Sequence, residues 1–137
     1  MKQDAMTAKT VLVVDDDADV RESVADLLTE AGYDVICFSA CSTALAHLCQ
    51  NPLPGVVVVD LLMPGMNAWE LFGQMRRREN LSKIPVIAIT GSGPEWGAPV
   101  PEAMVVRKPI DSARLLRLIA SATATQAPEP PAPTASQ

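Results

Sequence analysis

Five polar side chains stand at or just past the ends of apolar runs in this chain: Asp15, Asp16, Asp60, Thr90 and Lys108. Short β-branched runs bounded by turn residues predict strands that are buried on both faces. Because the carboxyl ends of parallel strands meet at one edge of a sheet, we expect the five side chains to be neighbours there. A single carboxylate in such a place is most often only a helix N-cap. The set of five together indicates a reactive site.

The chemistry that these residue types suit is phosphoryl transfer. Three clustered carboxylates repel one another unless a cation shares the site, and hard oxygen ligands with open positions favour Mg²⁺. Lys108 adds a positive charge and Thr90 a hydroxyl donor, and both can stabilise the equatorial oxygens of a transferring phosphoryl group. Asp60, which follows four consecutive valines, is the predicted nucleophile, since carboxylates form aspartyl phosphates. Gly91 leaves room beside Thr90 for an incoming donor.

Hydrophobic periodicity predicts the elements that would position these residues. The predicted strands are Thr10–Asp16, Tyr33–Phe38, the valine run that ends at Asp60, Ile84–Thr90 and Ala103–Arg107. Amphipathic helices follow the first, second, third and fifth strands, with Asp17 and Asp111 as N-caps and Gly32 at a helix end. This alternation predicts an α/β fold with a doubly wound, five-stranded parallel sheet of flavodoxin-like order 2-1-3-4-5.

The length of 137 residues suits one domain. We expect a flexible N-terminus over 1–9, the domain over 10–124 and a disordered Pro/Ala-rich tail over 125–137. The net charge of −5, with no basic run longer than Arg76–Arg78, argues against direct nucleic-acid binding. No apolar run is long enough for a membrane span and the N-terminus lacks a signal-peptide core, so a cytoplasmic protein is expected.

The three cysteines, Cys37, Cys41 and Cys49, form an odd set without a C-x-x-C pair. This count argues against a disulfide framework and suits a reducing compartment. A zinc site that includes His47 is disfavoured, because His47 and Cys49 lie two apart on a predicted helix and point in different directions.

Four segments carry a resemblance to a known family: VLVVDDD (Val11–Asp17), VVVVDLLMPGM (Val56–Met66), PVIAIT (Pro85–Thr90) and KP (Lys108-Pro109). In this combination the chain resembles the receiver domain of bacterial two-component response regulators, from Val11 to about Ala122. The resemblance implies that Asp60 accepts a phosphoryl group from a histidine kinase, a histidine phosphotransfer protein or a small phosphodonor.

The resemblance also implies the remaining roles. Asp16, Asp60 and the backbone carbonyl of Leu62 would ligate Mg²⁺, with Asp15 acting mainly through water. Thr90 and Lys108 would contact the phosphoryl oxygens, and the Lys108–Pro109 bond would be cis. Such a receiver assists its own phosphorylation and dephosphorylation without turning over a separate substrate. It would signal by docking to a downstream protein, with no direct nucleic-acid or membrane partner.

The chain departs from the family pattern in three places. Ala68 stands where Gly is usual, so the preceding turn is expected to be rearranged. Val105 stands where an aromatic residue usually swings inward on phosphorylation. The segment from Gly91 to Arg107 contains three prolines, Pro94, Pro99 and Pro101, so we expect a shortened or missing fourth helix.

Two roles are open for the apolar residues Trp96, Val100 and Val105. They cover the sheet where the fourth helix is missing, or they form a partner-binding patch such as a homodimer face. Phosphorylation would then be transmitted through Thr90 by ordering of Gly91–Glu102.

Two other functions compete with that of a receiver. A phosphatase of the haloacid dehalogenase type requires a second Asp two residues after the nucleophile, and that position is Leu62. A pseudo-receiver would bind a partner without phosphorylation. The intact set of acceptor, acid pair, Thr90 and Lys108 argues against it.

Overall fold

The computed structural model describes residues 7–50, 52–61, 68–91 and 104–126. Within this part of the chain strands and helices alternate. The elements in chain order are β1 (Thr7–Val14), α1 (Ala18–Glu30), β2 (Asp34–Phe38), α2 (Cys41–Gln50), β3 (Pro54–Asp60), α3 (Ala68–Arg76), β4 (Val86–Thr90), β5 (Val105–Arg107) and α4 (Ser112–Gln126).

The strands form one five-stranded sheet in the order β2-β1-β3-β4-β5, and every neighbouring pair is parallel. The predicted fold class and strand order are therefore confirmed. In the register, Val14 of β1 lies beside Val59 of β3, and Asp60 lies beside Ile89 of β4. The strand ends that carry the candidate residues thus lie at the same edge of the sheet.

The central strand β3 is buried along its whole length, as its run of valines predicts. Its alternate side chains enter two hydrophobic clusters on opposite faces of the sheet. Val57 and Val59 pack with α2 and α3, whereas Val56 and Val58 pack with α1 and α4. The sheet is therefore doubly wound, and a hydrophobic core on each of its faces packs against β3.

The predicted helix ends are also confirmed. The Asp17 side chain accepts hydrogen bonds from the backbone N–H groups of Asp19 (2.9 Å) and Val20 (3.3 Å) at the start of α1. Gly32 follows the end of α1 with φ of +98°, a backbone conformation that favours glycine. Asp111 Oδ1 accepts from the N–H of Arg114, 3.2 Å away, in the first turn of α4.

Some predicted boundaries differ from the structure. β1 begins at Thr7, three residues earlier than predicted, and it ends at Val14, so that Asp15 and Asp16 follow the strand. The last helix extends to Gln126. It therefore includes the first two residues of the predicted disordered tail, 125–137, and that part of the prediction was wrong. The rest of the predicted tail, 127–137, lies outside the described residues.

The three departures from the family pattern are only partly visible. Ala68 is the first residue of α3 and its methyl group is buried in the core, so its backbone is right-handed and helical. Val105 is buried in β5 and packs in the cluster of α2 and α3. The turn before Ala68, the expected loss of the fourth helix, and the placement of Trp96 and Val100 fall on 62–67 and 92–103, outside the described residues.

The cysteines occupy unlike surroundings. Cys41 is buried in the core at the start of α2, whereas Cys37 and Cys49 are exposed, and all three are free thiols. The His47 ring lies against Phe38, with 5.2 Å between ring centroids.

Among the described residues, no helix has both the length and the apolar character that a bilayer crossing demands.

Two glycines provide a matched test of the backbone at the end of α1. We expect Gly32→Ala to lower the free energy of unfolding by about 1 kcal/mol, because an L side chain is strained at positive φ. Gly73 lies exposed inside α3, and a Cβ there would meet nothing within 4 Å. Gly73→Ala should therefore raise the free energy of unfolding by up to about 1 kcal/mol. Urea unfolding measures both changes in the free energy of unfolding. Changes of the same sign would contradict the positive φ of Gly32.

Candidate functional site

The predicted residues meet where the sheet strands end. Asp60 is the last residue of β3 and Thr90 the last of β4, while Asp15 follows β1 and Lys108 follows β5. Asp15, Asp60 and Thr90 are buried, with 2%, 4% and 4% of their surfaces exposed. Asp16 is exposed at the rim. The structure thus brings all five predicted side chains to one edge, four of them within or directly beyond a strand.

Backbone hydrogen bonds continue past the strand ends and fix these positions. The N–H of Leu61 donates to the carbonyl of Ile89 at 2.8 Å, which extends the pairing of β3 with β4. The N–H of Lys108 donates to the carbonyl of Thr90, also at 2.8 Å, and so joins the residues that end β4 and follow β5. Main-chain pairing among the described residues therefore helps to fix the distances between these side chains.

A half-buried ion pair joins the predicted acceptor to the predicted lysine. Lys108 Nζ lies 3.1 Å from Asp60 Oδ2, and the lysine side chain retains 30% exposure against 6% for the aspartate. Burial acts to lower the pKa of Lys108. The hydrogen bond to Asp60 and the charges of Asp60 and Asp15 outweigh this effect, so the pKa of Lys108 lies above its usual value. The ammonium group stays charged beside Asp60 at neutral pH.

The carboxylates form an acidic cluster. One oxygen each from Asp15, Asp16 and Asp60 lies within 4.8 Å of the others. Burial, the largest cause, raises the pKa of Asp15; the hydrogen bond from the Asp17 N–H lowers it, and the negative charge of Asp60 raises it further. The net direction is upward, so in the protein alone a negative charge at Asp15 is less favourable than it is in water.

One oxygen of this cluster lacks a protein partner. Asp15 Oδ1 accepts a hydrogen bond from the Asp17 N–H at 2.9 Å, but Asp15 Oδ2 is buried without any hydrogen-bond partner among the described residues. A buried, unpaired carboxylate oxygen is costly in a protein and is the kind of ligand that a divalent cation takes. The donor set therefore suits Mg²⁺. Leu62, whose carbonyl is the predicted further ligand, lies outside the described residues.

Two smaller features next to Lys108 also agree with the sequence. The Lys108–Pro109 peptide bond is cis, as the family resemblance implies. Gly91 lies close to the lysine stem, and a Cβ at Gly91 would be 3.5 Å from Lys108 Cδ. A larger side chain at position 91 would fill the space beside Lys108.

A groove of about 370 Å³ opens beside Lys108 between α1 and the segment that leads into α4. Its apolar lining includes Val20, Leu27 and Ile110, and Asp19 adds a carboxylate at one side. The groove was not predicted, because Val20 and Leu27 have the spacing of core residues. In the structure both are only partly buried, and they line the groove together with the buried Val24.

Arg21 was not predicted as a residue of the site. Its Nη1 donates to the carbonyl oxygen of Asp15 at 2.7 Å. The only signal in the sequence is a basic residue in the second turn of a helix that begins beside acidic residues. That signal does not predict a bond to a specific carbonyl group.

Comparisons with known proteins agree with this geometry. The family model described as the response regulator receiver domain matches residues 11–120. The phosphate regulon transcriptional regulatory protein PhoB of Pseudomonas aeruginosa is 37% identical over 91 residues, which is 66% of this chain and 39% of PhoB. Protein PilH of the same species is 29% identical over 113 residues, 80% of this chain and 93% of PilH.

A solved structure gives the same result for the fold. A crystal structure of a putative response regulator from Chloroflexus aurantiacus superimposes with a TM-score of 0.78 at 26% identity, covering 85% of this chain and 98% of that one.

This chain spans only 39% and 18% of the first two curated relatives, PhoB and the C4-dicarboxylate transport regulator DctD of Rhizobium meliloti. Phosphorylation and Mg²⁺ binding are general to the matched family. The match over residues 11–120 includes nearly the whole sheet and its helices, and the chain therefore belongs to the response regulator receiver domain family.

Proposed function

We propose that this chain is a phosphorylation-dependent switch of a two-component system or phosphorelay, and that Asp60 is its phosphoryl acceptor. The observation that carries the proposal is the 3.1 Å contact between Lys108 Nζ and the buried carboxylate of Asp60, beside an acidic cluster with an unpaired oxygen. The phosphodonor is the phosphohistidine of a histidine kinase or a histidine phosphotransfer protein.

In the transfer step an Asp60 carboxylate oxygen attacks the phosphorus of the phosphohistidine. An O–P bond forms and the P–N bond breaks, and the electron pair of that bond returns to the imidazole nitrogen, which takes a proton from solvent. Lys108 and Thr90 stabilise the equatorial phosphoryl oxygens, Lys108 by its charge and Thr90 by its hydroxyl. Positioning and charge are the main requirements of this reaction.

A bound Mg²⁺ would be held by Asp16, Asp60 and the Leu62 carbonyl, with Asp15 acting mainly through water. When bound, the ion supplies positive charge that neutralises phosphoryl oxygens. Support comes from the orphaned Asp15 Oδ2 and from the spacing of the three carboxylates.

The groove beside Lys108 suits the docking of the donor protein. Lys108 both lines the groove and contacts Asp60, so a helix that occupies the groove can present its phosphohistidine to the acceptor. Its apolar walls, Val20 and Ile110 among them, suit the apolar face of an amphipathic helix.

The output of the switch is docking to a downstream protein. Val105 is buried in place of an aromatic side chain, so the state of Asp60 is read through Thr90 and Lys108. We place the switch in the cytoplasm, because its three free cysteines suit a reducing compartment.

The acceptor assignment is tested by intact-mass measurement after incubation with acetyl phosphate and Mg²⁺. We expect one phosphoryl adduct on the wild-type chain and none on Asp60→Asn, because an amide is a poor nucleophile. Asp26→Asn, an exposed carboxylate on α1, should retain the adduct. A wild-type chain that forms no adduct with any donor would instead be a pseudo-receiver, which binds its partner without phosphorylation.

The assignment of the acidic cluster is tested by Asp15→Asn. Without divalent ions, this change should raise the free energy of unfolding by about 1 kcal/mol, because it removes an unpaired buried charge and its repulsion with Asp60. Mg²⁺ at about 100 times its Kd should stabilise the wild-type chain by about 2.7 kcal/mol and the variant by much less. Urea unfolding with EDTA or Mg²⁺ measures both effects.

Asp26→Asn serves again as the control, and it should leave the response to Mg²⁺ at the wild-type value. If Asp15→Asn destabilises the chain in EDTA yet responds to Mg²⁺ as the wild type does, Asp15 is not part of a cation site.

The docking groove is tested by Ile110→Arg. The new charge should slow phosphoryl transfer from a histidine kinase that phosphorylates the wild-type chain by at least about tenfold. Transfer from acetyl phosphate should be unchanged, because that donor needs no groove. Ala46→Arg, an exposed position on α2, is the control and should alter neither rate. Equal slowing with both donors would place the defect at Asp60 rather than in the groove.

A further inference from the structure

Arg21 reaches from the second turn of α1 back to the end of β1. Its Nη1 donates a 2.7 Å hydrogen bond to the carbonyl oxygen of Asp15, six residues earlier, in a partly buried setting. A charged donor makes a stronger hydrogen bond than a neutral one. The bond thus ties α1 to the segment that carries the two consecutive acidic residues of the site.

This bond completes a set of constraints on Asp15. Its backbone N–H donates to the carbonyl of Phe38 at 3.0 Å, and its Oδ1 accepts from the N–H of Asp17 at 2.9 Å. With the Arg21 bond to its carbonyl, three of the four polar groups of Asp15 have protein partners. The fourth, Oδ2, is the buried oxygen without a hydrogen-bond partner among the described residues. The direction of Oδ2 is therefore determined by the other three groups.

Among the hydrogen bonds that the structure describes for Asp15, the one from Arg21 has a side-chain donor. The other two have backbone N–H donors, those of Asp15 and Asp17, so replacing a neighbouring side chain removes neither donor. Arg21 is thus the constraint on Asp15 that a point substitution can test.

We propose that Arg21 is a positioning residue for the Mg²⁺ site: by holding the main chain of Asp15, it directs Asp15 Oδ2 and the adjacent Asp16 toward the cation. This inference rests on the proposed function, since it assumes that the acidic cluster binds Mg²⁺. The described contact of Arg21 is with the Asp15 carbonyl, so Arg21 acts on the cation through Asp15.

The charge of Arg21 and its hydrogen bond have opposite effects on cation binding. A guanidinium near the site repels Mg²⁺, so loss of the charge alone would tighten binding. Loss of the hydrogen bond releases the Asp15 segment and weakens binding, as happens when residues that orient metal ligands are removed. The sign of the change in affinity therefore distinguishes the two roles.

The experiment is a calorimetric titration of the folded chain with MgCl₂. We expect Arg21→Met to raise the Kd for Mg²⁺ about tenfold and Arg21→Lys to raise it as well, since lysine keeps the charge but not the guanidinium geometry. Arg114→Met is a matched control. Arg114 Nη2 also donates to a carbonyl oxygen, that of Val105, at 3.0 Å, but Arg114 lies on α4 and belongs to neither the acidic cluster nor the groove.

A second measurement separates positioning from a general loss of structure. The rate of phosphorylation by acetyl phosphate is followed against Mg²⁺ concentration. In both Arg21 variants the half-saturating Mg²⁺ concentration should rise, while the rate at saturating Mg²⁺ returns to within about twofold of the wild type. A lower maximal rate with an unchanged half-saturating concentration would overturn the proposal.

The remaining outcomes are equally decisive. An unchanged or tighter Kd in Arg21→Met, with wild-type binding intact, overturns the role of Arg21 and leaves the proposed function in place. A wild-type chain that binds no Mg²⁺ overturns the metal site itself. If Arg21→Met does not fold, Arg21→Lys decides the question by the same two measurements.

Discussion

Repulsion among the carboxylates at the carboxyl edge of the sheet is the constraint on which the rest of this structure depends. Asp15 and Asp60 are buried there together, with Asp16 beside them at the surface. Two like charges 4 Å apart repel by about 4 kcal/mol at an effective dielectric constant of 20, a large share of the 5–15 kcal/mol that separates folded from unfolded domains. The ammonium group of Lys108, 3.1 Å from Asp60, offsets one of these charges. The protein alone leaves the cluster short of positive charge.

The sheet holds this unfavourable arrangement because its strands are restrained on every side. β3 is buried along its length between two hydrophobic clusters, and its neighbours β1 and β4 pair with it up to the strand ends. The contacts of Leu61 with Ile89 and of Lys108 with Thr90 extend the pairing past those ends. The charged side chains therefore project from strand ends that core packing and backbone pairing hold in place.

The sequence predicted the parts of the fold that repeat along the chain. The valine-rich runs predicted the strands, and the helical periodicity predicted which helix faces enter the core. The alternation of strands and helices predicted the sheet order and the edge where Asp60 and Lys108 meet. Two features escaped prediction for a physical reason. The bond from Arg21 to a carbonyl depends on the reach of one flexible side chain, and the groove depends on how α1 lies relative to Ile110. Neither leaves a periodic signal in the sequence.

Ala68 is a further example of a contact that cannot be predicted from the backbone preference of a residue. Ala68 stands where glycine is usual, and the structure shows it as a helical residue whose methyl group is part of the core, a contact that the departure from the family pattern did not predict. A propensity argument describes the backbone that a residue avoids, but the neighbours that a residue contacts are determined by the fold.

Lys108 belongs to two surfaces at once, since it contacts the carboxylate of Asp60 and forms part of the wall of the groove beside α1. Thermodynamic linkage makes such sharing reciprocal. If a bound molecule in the groove draws Lys108 away from Asp60, its binding costs the energy of that ion pair. Neutralising Asp60 removes this cost, so the molecule then binds more tightly. An ammonium group shared by the two surfaces is thus enough to couple occupancy of the groove to the charge at the sheet edge, without any displacement of the backbone.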